Sequence, residues 1–204
     1  MIIGQKKAIS ALENQESARI LLISDSHGNS TIVKTIVEKY GSDCDALFFC
    51  GDGLCDIAEL LTESKNDKEL RKSIPEVIAC VGGNCDPKIF PMKKNKHLEA
   101  SLEESLTVCG HKVLLVHGHA HGVDYGLERL GLIMKAGGYD AAFYGHTHIA
   151  SFQTAGNYRF INPGSCSRPR GSQNAGFAIA TFRKDFIDVA FIRSDTYEIW
   201  MPIM

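Results

Sequence analysis

The sequence predicts an α/β fold of two packed mixed β-sheets flanked by helices. Three observations carry this. Continuous apolar runs alternate with helix-spaced segments through the first half, which implies parallel strands joined by right-handed crossovers. The second half instead offers paired runs across Gly-containing turns, as hairpins do. Most runs stop at Gly accompanied by Asp, Asn or His, and in open α/β sheets ligands gather beyond the carboxyl ends of the strands.

Residues 1–18 form an N-terminal extension, either a short helix on the spacing of Ala8, Ile9 and Leu12 or a loose arm; residues 19–204 form one domain. Residues 19–24 carry the continuous apolar run Ile20-Leu21-Leu22-Ile23, as a buried strand does, and stop at Asp25-Ser26-His27-Gly28-Asn29. Residues 31–40 follow helical spacing through Ile32 and Ile36. Residues 46–50 repeat the buried-strand pattern and end in Gly51-Asp52-Gly53. A second helix begins at Ile57, and residues 64–72 read as polar and exposed. Residues 76–81 make a third strand, ending in Gly82-Gly83-Asn84-Cys85-Asp86. Residues 106–109 and 112–116 flank Gly110-His111 as a hairpin, whose second arm ends in His117-Gly118-His119. Residues 127–136 are helical and stop at Gly137-Gly138. Residues 141–144 form a short strand ending in Gly145-His146-Thr147-His148. Residues 151–154 and 158–161 flank Gly156-Asn157, another hairpin signal, and residues 176–182 and 187–193 finish the chain as antiparallel strands.

A chain of 204 residues buries enough apolar surface to fold without disulfide or metal staples, so a metal here would serve chemistry. Its 22 basic and 24 acidic side chains leave no basic field, which argues against nucleic acid as partner and against a polybasic membrane signal. No apolar run reaches transmembrane length, and no signal peptide is expected. The cysteines number seven, with no CxxC pair, and several sit in apolar runs, so a reducing compartment, the cytoplasm, is expected.

Five strand ends present ligand-type side chains: Asp25 with His27, Asp52, Asn84, His117 with His119, and His146 with His148. Singly, each is an ordinary turn or a lone histidine. Together they would crowd carboxylate, imidazole and amide groups into one cleft, which is costly without a partner. A cation resolves the conflict. The mixed Asp, His and Asn set suits manganese, iron or zinc better than calcium, which prefers all-oxygen sites.

These five motifs, in this order, resemble those of the calcineurin-like metallophosphoesterase superfamily. Gly83-Asn84-Cys85-Asp86, the compact length and Asn162-Pro163-Gly164-Ser165 resemble its small prokaryotic phosphodiesterase branch. The resemblance spans roughly residues 19–193 and implies a metallophosphoesterase sandwich. It also implies two divalent metal ions, manganese first, with nickel, iron, zinc or magnesium as alternatives. Asp25, His27 and His148 would hold the first ion and Asn84, His117 and His146 the second, with Asp52 bridging. Hydroxide bound at such a pair would attack a phosphodiester directly, since metal-bound water reaches a pKa near about 7. The catalytic assignments are Asp52, Asn84 and His119. Asn84 would ligate and touch phosphate. His119 would donate to a phosphate oxygen or else support the neighbouring loop.

One position departs from the wider pattern. Many superfamily members carry His after the motif Asn, where this chain has Cys85. A thiol with an ordinary pKa of about 8.5 is a weak donor. Activity should therefore lean toward aryl or otherwise activated diesters, with Asp86 a conceivable substitute acid and space-filling the plain alternative for the thiol. Arg168 and Arg170 could face phosphate but read first as solvated loop charges. Specificity would come from loops 86–97 and 119–126; Lys88, Lys93, Lys94 and Lys96 in the first could attract an anionic substrate but read first as solvating the loop. Other readings of the same fold are a catalytically weak or inactive protein-binding scaffold, like the retromer subunit, and a phosphomonoesterase or nuclease. Scaffold versions tend to lose a motif histidine, and none is missing here. A homo-oligomer is also expected from the resemblance.

Overall fold

The computed structural model of the chain describes residues 1–92, 96–99 and 101–202. Lys93 and Lys94 lie outside the described residues. The elements run β1 (Ile2–Ile3), α1 (Lys6–Asn14), β2 (Ser17–Ile23), α2 (Ser30–Tyr40), β3 (Ala46–Phe49), α3 (Leu54–Glu63), α4 (Lys68–Ser73) and β4 (Val77–Cys80). There follow β5 (Ile89–Met92), β6 (Lys96–Glu99), β7 (Glu103–Val108), β8 (His111–Val116), α5 (Glu128–Gly137), β9 (Ala141–Phe143), β10 (Ser151–Ala155), β11 (Tyr158–Asn162), β12 (Gly176–Arg183), β13 (Phe186–Arg193) and β14 (Ile199–Trp200).

Two mixed sheets pack face to face, as the sequence predicts. The first has the order β1-β4-β3-β2-β12-β13-β14 and the second β10-β11-β9-β8-β7; β5 and β6 pair separately. β2, β3 and β4 are parallel, and β12 closes on β2 antiparallel. The second sheet is more parallel than the hairpin signals imply, because β9 lies between β8 and β11 and runs parallel to both.

The apolar runs are continuous because each central strand is buried on both faces. On β2, Ala18, Ile20 and Leu22 enter the core between the sheets, while Leu21 and Ile23 pack under α2 and α3. On β8, Val113 and Leu115 face the same inter-sheet core, while Leu114 and Val116 pack with Leu130 and Met134 of α5. Phe143 joins the sheets, its ring centroid 5.6 Å from Phe48 and 6.0 Å from Phe182. The extension contributes β1, antiparallel to β4, and α1, whose Leu12 enters the inter-sheet core.

Local chemistry moves several expected boundaries. The first hairpin turns on Cys109-Gly110 rather than Gly110-His111, because Val108 pairs with His111 and both turn residues take positive φ, 50° and 83°. The stretch read as polar and exposed holds α4, capped by Asp67, whose carboxylate accepts from the Glu69 and Leu70 amides and whose helix buries Leu70. α3 begins at Leu54, three residues early. Loop 86–97 contains β5 and the start of β6, and loop 119–126 holds two short 3-10 turns, His119–His121 and Val123–Tyr125. Among the described residues no helix is long and apolar enough to cross a membrane.

Candidate metal centre

The carboxyl ends of β2, β3, β4, β8 and β9 meet along one edge of the sandwich, three from the first sheet and two from the second. Backbone bonds carry the ladders past the strands. Asp25 N–H donates to Gly51 O (3.0 Å), His27 N–H to Asp52 O (2.9 Å) and Gly145 N–H to His117 O (2.9 Å). The candidate residues sit where the chain turns sharply. Asp25, His27, Asp52, His146 and His148 all take positive φ, between 48° and 69°. Left-handed backbone is costly away from Gly, and such strain concentrates at functional sites.

Glycines make room for the carboxylates. A Cβ on Gly83 would lie 2.0 Å from Asp52 Oδ1, and one on Gly145 would lie 2.1 Å from Ser24 Oγ and 2.7 Å from Asp25 Oδ2. Asp25, Asp52, His117 and His148 are buried.

The donor atoms converge in overlapping groups, Asp25 with His27 and His148, Asp25 with Asp52 and His117, and His27 with Asp52 and Cys85; within each they lie within 4.8 Å of one another. Asp52 stands between the halves. Its Oδ2 is 3.4 Å from His117 Nε2 and 3.8 Å from His27 Nε2, and its Oδ1 accepts from the Cys85 amide at 2.7 Å. Asn84 Oδ1 lies 3.2 Å from His117 Nε2. His146 stands at the rim: its amide donates to Asp25 Oδ2 at 3.1 Å, while its ring Nε2 bonds Asp124 Oδ2 at 2.7 Å. The His119 ring lies 5.3 Å from that of His117 and 6.1 Å from that of His146.

This donor set fits a divalent metal. Asp25 Oδ1 is buried and accepts no hydrogen bond from the described residues, although His148 Nε2 is 3.3 Å away. His27 Nε2 and His148 Nε2 face each other at 3.0 Å. A cation would satisfy all three at once. The imidazoles are also held from behind, as metal ligands are. His117 Nδ1 bonds the Cys50 carbonyl at 2.7 Å and His148 Nδ1 the Arg168 carbonyl at 2.6 Å, leaving each Nε2 toward the centre.

Burial opposes ionisation of Asp52, but His117 and the Cys85 amide outweigh it and hold the carboxyl well below its usual range. Burial likewise opposes protonation of His117, and the Asp52 and Asp25 carboxylates with the Cys50 carbonyl reverse it, leaving the imidazole above its ordinary 6.5. The Asp25 carboxylate raises His148. Desolvation lowers His27 and His119. The Cys85 thiol is pushed up to about 11 by desolvation and the Asp52 carboxylate, so it stays protonated at neutral pH.

The sequence names Asp86 only as a conceivable substitute acid and passes over Asp56 and Asp124. Asp86 is no free acid, because its oxygens accept from the Asp52 (2.7 Å), Gly53 (3.0 Å), Leu54 (2.8 Å) and Gly83 (3.0 Å) amides, clamping two motif loops together. Buried Asp56 holds the Ser26 hydroxyl and the Gly28 amide. The 162–165 run braces the centre: Asn162 Nδ2 donates to Gly145 O and Thr147 Oγ1, and Ser165 Oγ to Asp25 O at 2.7 Å. Arg168 is exposed, with Nη2 3.4 Å from the His27 carbonyl oxygen. Beyond Asp124 and Thr147 opens a cleft of about 590 Å³, lined also by Leu127, Tyr144, Ile149 and Arg170.

Residues 19–185 match the calcineurin-like phosphoesterase superfamily domain. The chain is 31% identical over 172 residues to the probable metallophosphoesterase YsnB of Bacillus subtilis, covering 84% of this chain and 89% of that protein. It is 28% identical over 167 residues to the phosphodiesterase YfcE of Escherichia coli, covering 79% and 86%. A crystal structure of a predicted phosphoesterase from Streptococcus pneumoniae superposes with a TM-score of 0.69 at 25% identity, over 91% of this chain and 94% of that one. With the five motifs converging in the same fold, the chain belongs to the calcineurin-like phosphoesterase superfamily.

Proposed function

We propose that this protein is a phosphodiesterase working with two divalent ions, manganese foremost. Asp25, His27 and His148 hold one ion, Asn84, His117 and His146 the other, and Asp52 bridges them. The observation that carries this reading is the position of Asp52, with one oxygen within 4 Å of an imidazole from each half of the site. When bound, such a pair supplies a water activated at neutral pH and neutralises charge in an in-line displacement with no covalent enzyme intermediate.

The chain's own groups set the rest. Neutral Asn84 ligates and touches phosphate, and His119, kept neutral by desolvation, donates to a phosphate oxygen. Cys85 offers only a protonated thiol, so leaving groups that need little protonation are favoured. The cleft beyond Thr147 gives the second ester group of a diester a place to lie. The seven free thiols agree with work in the cytoplasm.

The test is to strip the protein with a chelator and then supply manganese, nickel, magnesium or zinc with bis-aryl and mono-aryl phosphates. Metal should restore diester cleavage at roughly tenfold or more above monoester cleavage, a difference of ~1.4 kcal/mol in the barrier. If no metal restores diester cleavage, the reading is wrong.

A second expectation concerns pH. His117 and His148 bind protons more readily than ordinary imidazoles, and a metal must displace those protons. The metal-free state therefore carries more protons than the loaded one, and raising pH favours loading. The rise in thermal midpoint caused by a fixed manganese concentration should grow between about pH 6 and about pH 8. A rise that is flat or shrinks across that range would contradict the ligand set.

A further inference from the structure

We propose that Asp124 is a positioning residue for His146, fixing the imidazole so that Nδ1, not Nε2, is the nitrogen turned to the metal. This rests on the reading of His146 as a ligand. His117 and His148 each engage an acceptor through Nδ1, and in both the acceptor is a backbone carbonyl. His146 is reversed. Its Nε2 lies 2.7 Å from the Asp124 carboxylate, so the proton belongs on Nε2 and the lone pair on Nδ1. A carboxylate behind a ligating imidazole holds the tautomer and ring angle and raises ligand basicity.

The fold explains why a side chain takes this role. His117 and His148 lie under neighbouring loops whose carbonyls reach them, whereas His146 stands at the rim with its backbone at φ 69° and its amide tied to Asp25. The acceptor comes from the loop leaving β8, the strand that also delivers His117 and His119. There Asp124 sits in the Val123–Tyr125 turn, with Val123 buried and Gly122 and Gly126 on either side at φ 70° and 130°. One loop therefore supplies a ligand of the second ion and the group that orients another.

The experiment compares wild type with Asp124→Ala, Asp124→Asn and His146→Ala. Long-range ¹H–¹⁵N correlations on metal-free protein at mildly alkaline pH report the His146 tautomer, and manganese titration followed by electron paramagnetic resonance reports affinity. Wild type should show the Nε2–H tautomer. Asp124→Ala should mix tautomers and weaken one manganese site by about 10–100-fold. Asp124→Asn keeps an acceptor oxygen and should recover most of both, which a merely structural role of the loop would not predict. A fixed tautomer and unchanged affinity in folded Asp124→Ala, while His146→Ala loses a manganese site, would overturn the proposal alone. Unchanged manganese binding in His146→Ala would overturn the ligand assignment beneath it. Should Asp124→Ala fail to fold, Asp124→Asn decides: a pure Nε2–H tautomer supports the proposal, and a pure Nδ1–H tautomer removes it.

Discussion

Asp52→Asn is expected to lower metal-restored diester turnover by about a thousandfold or more, ~4 kcal/mol in the barrier, while the protein stays folded. The substitution is nearly isosteric, and the two oxygens of Asp52 have different duties. Oδ1 accepts the Cys85 amide at 2.7 Å, which an amide oxygen can still do. Oδ2 lies between His117 and His27, at 3.4 and 3.8 Å. There an NH₂ group would present hydrogens toward the cations that the carboxylate oxygen is proposed to join. The neutral amide also removes a buried charge whose ionised form the site strongly favours. Metal-free wild type and variant should show the same circular dichroism, and only wild type should gain its full stabilisation on adding manganese. Turnover within tenfold of wild type would exclude a bridging role. A collapse of the metal-free fold would mean that Asp52 serves the Gly51–Gly53 turn before it serves a metal.

Much of this arrangement was legible in the sequence, for identifiable reasons. β2, β3 and β4 are buried on both faces, so their apolar runs could not be mistaken for loops. The residues beyond them are chemically unlike their surroundings, and their Gly neighbours mark sharp turns. What escaped depends on distance in three dimensions. Asp86 reads at most as a substitute acid and Asp124 as an ordinary loop acid, and only the fold brings one onto four backbone amides and the other onto His146. β14 is two residues at a sheet edge, too short to show periodicity. β5 and β6 are four residues each, and Pro91 in the one with Lys96 opening the other reads as loop. α4 was missed because six residues with one buried Leu70 show almost no hydrophobic stripe, and its cap at Asp67 is the stronger signal.

Gly83→Ala is expected to cost activity almost as heavily as removing a ligand, although it changes no chemical group at the centre. A Cβ on Gly83 would stand 2.0 Å from Asp52 Oδ1 and 2.6 Å from the Asp52 amide nitrogen. Neither atom can easily retreat, because the Asp52 amide donates to Asp86 at 2.7 Å and Oδ1 accepts from Cys85 at 2.7 Å. Asp86 also accepts from the Gly83 amide, so the added methyl drives apart two loops that one carboxylate binds together. Overpacking of this kind costs about 1–3 kcal/mol of stability. Its larger effect falls on geometry, since a displacement of about 1 Å at a reacting centre can cost about a hundredfold in rate. The expected pattern is therefore a folded protein with a modestly lower thermal midpoint, weakened manganese binding and turnover down by about a hundredfold or more. Gly110→Ala is the control, because a Cβ there meets none of the described residues within 4 Å and its strain, at φ 83°, falls in a hairpin turn at the opposite end of β8. It should share the stability loss and spare the metal. Equal activity losses in the two variants would mean that Gly83 acts through global stability, and the close fit between Gly83 and Asp52 would then have no bearing on catalysis.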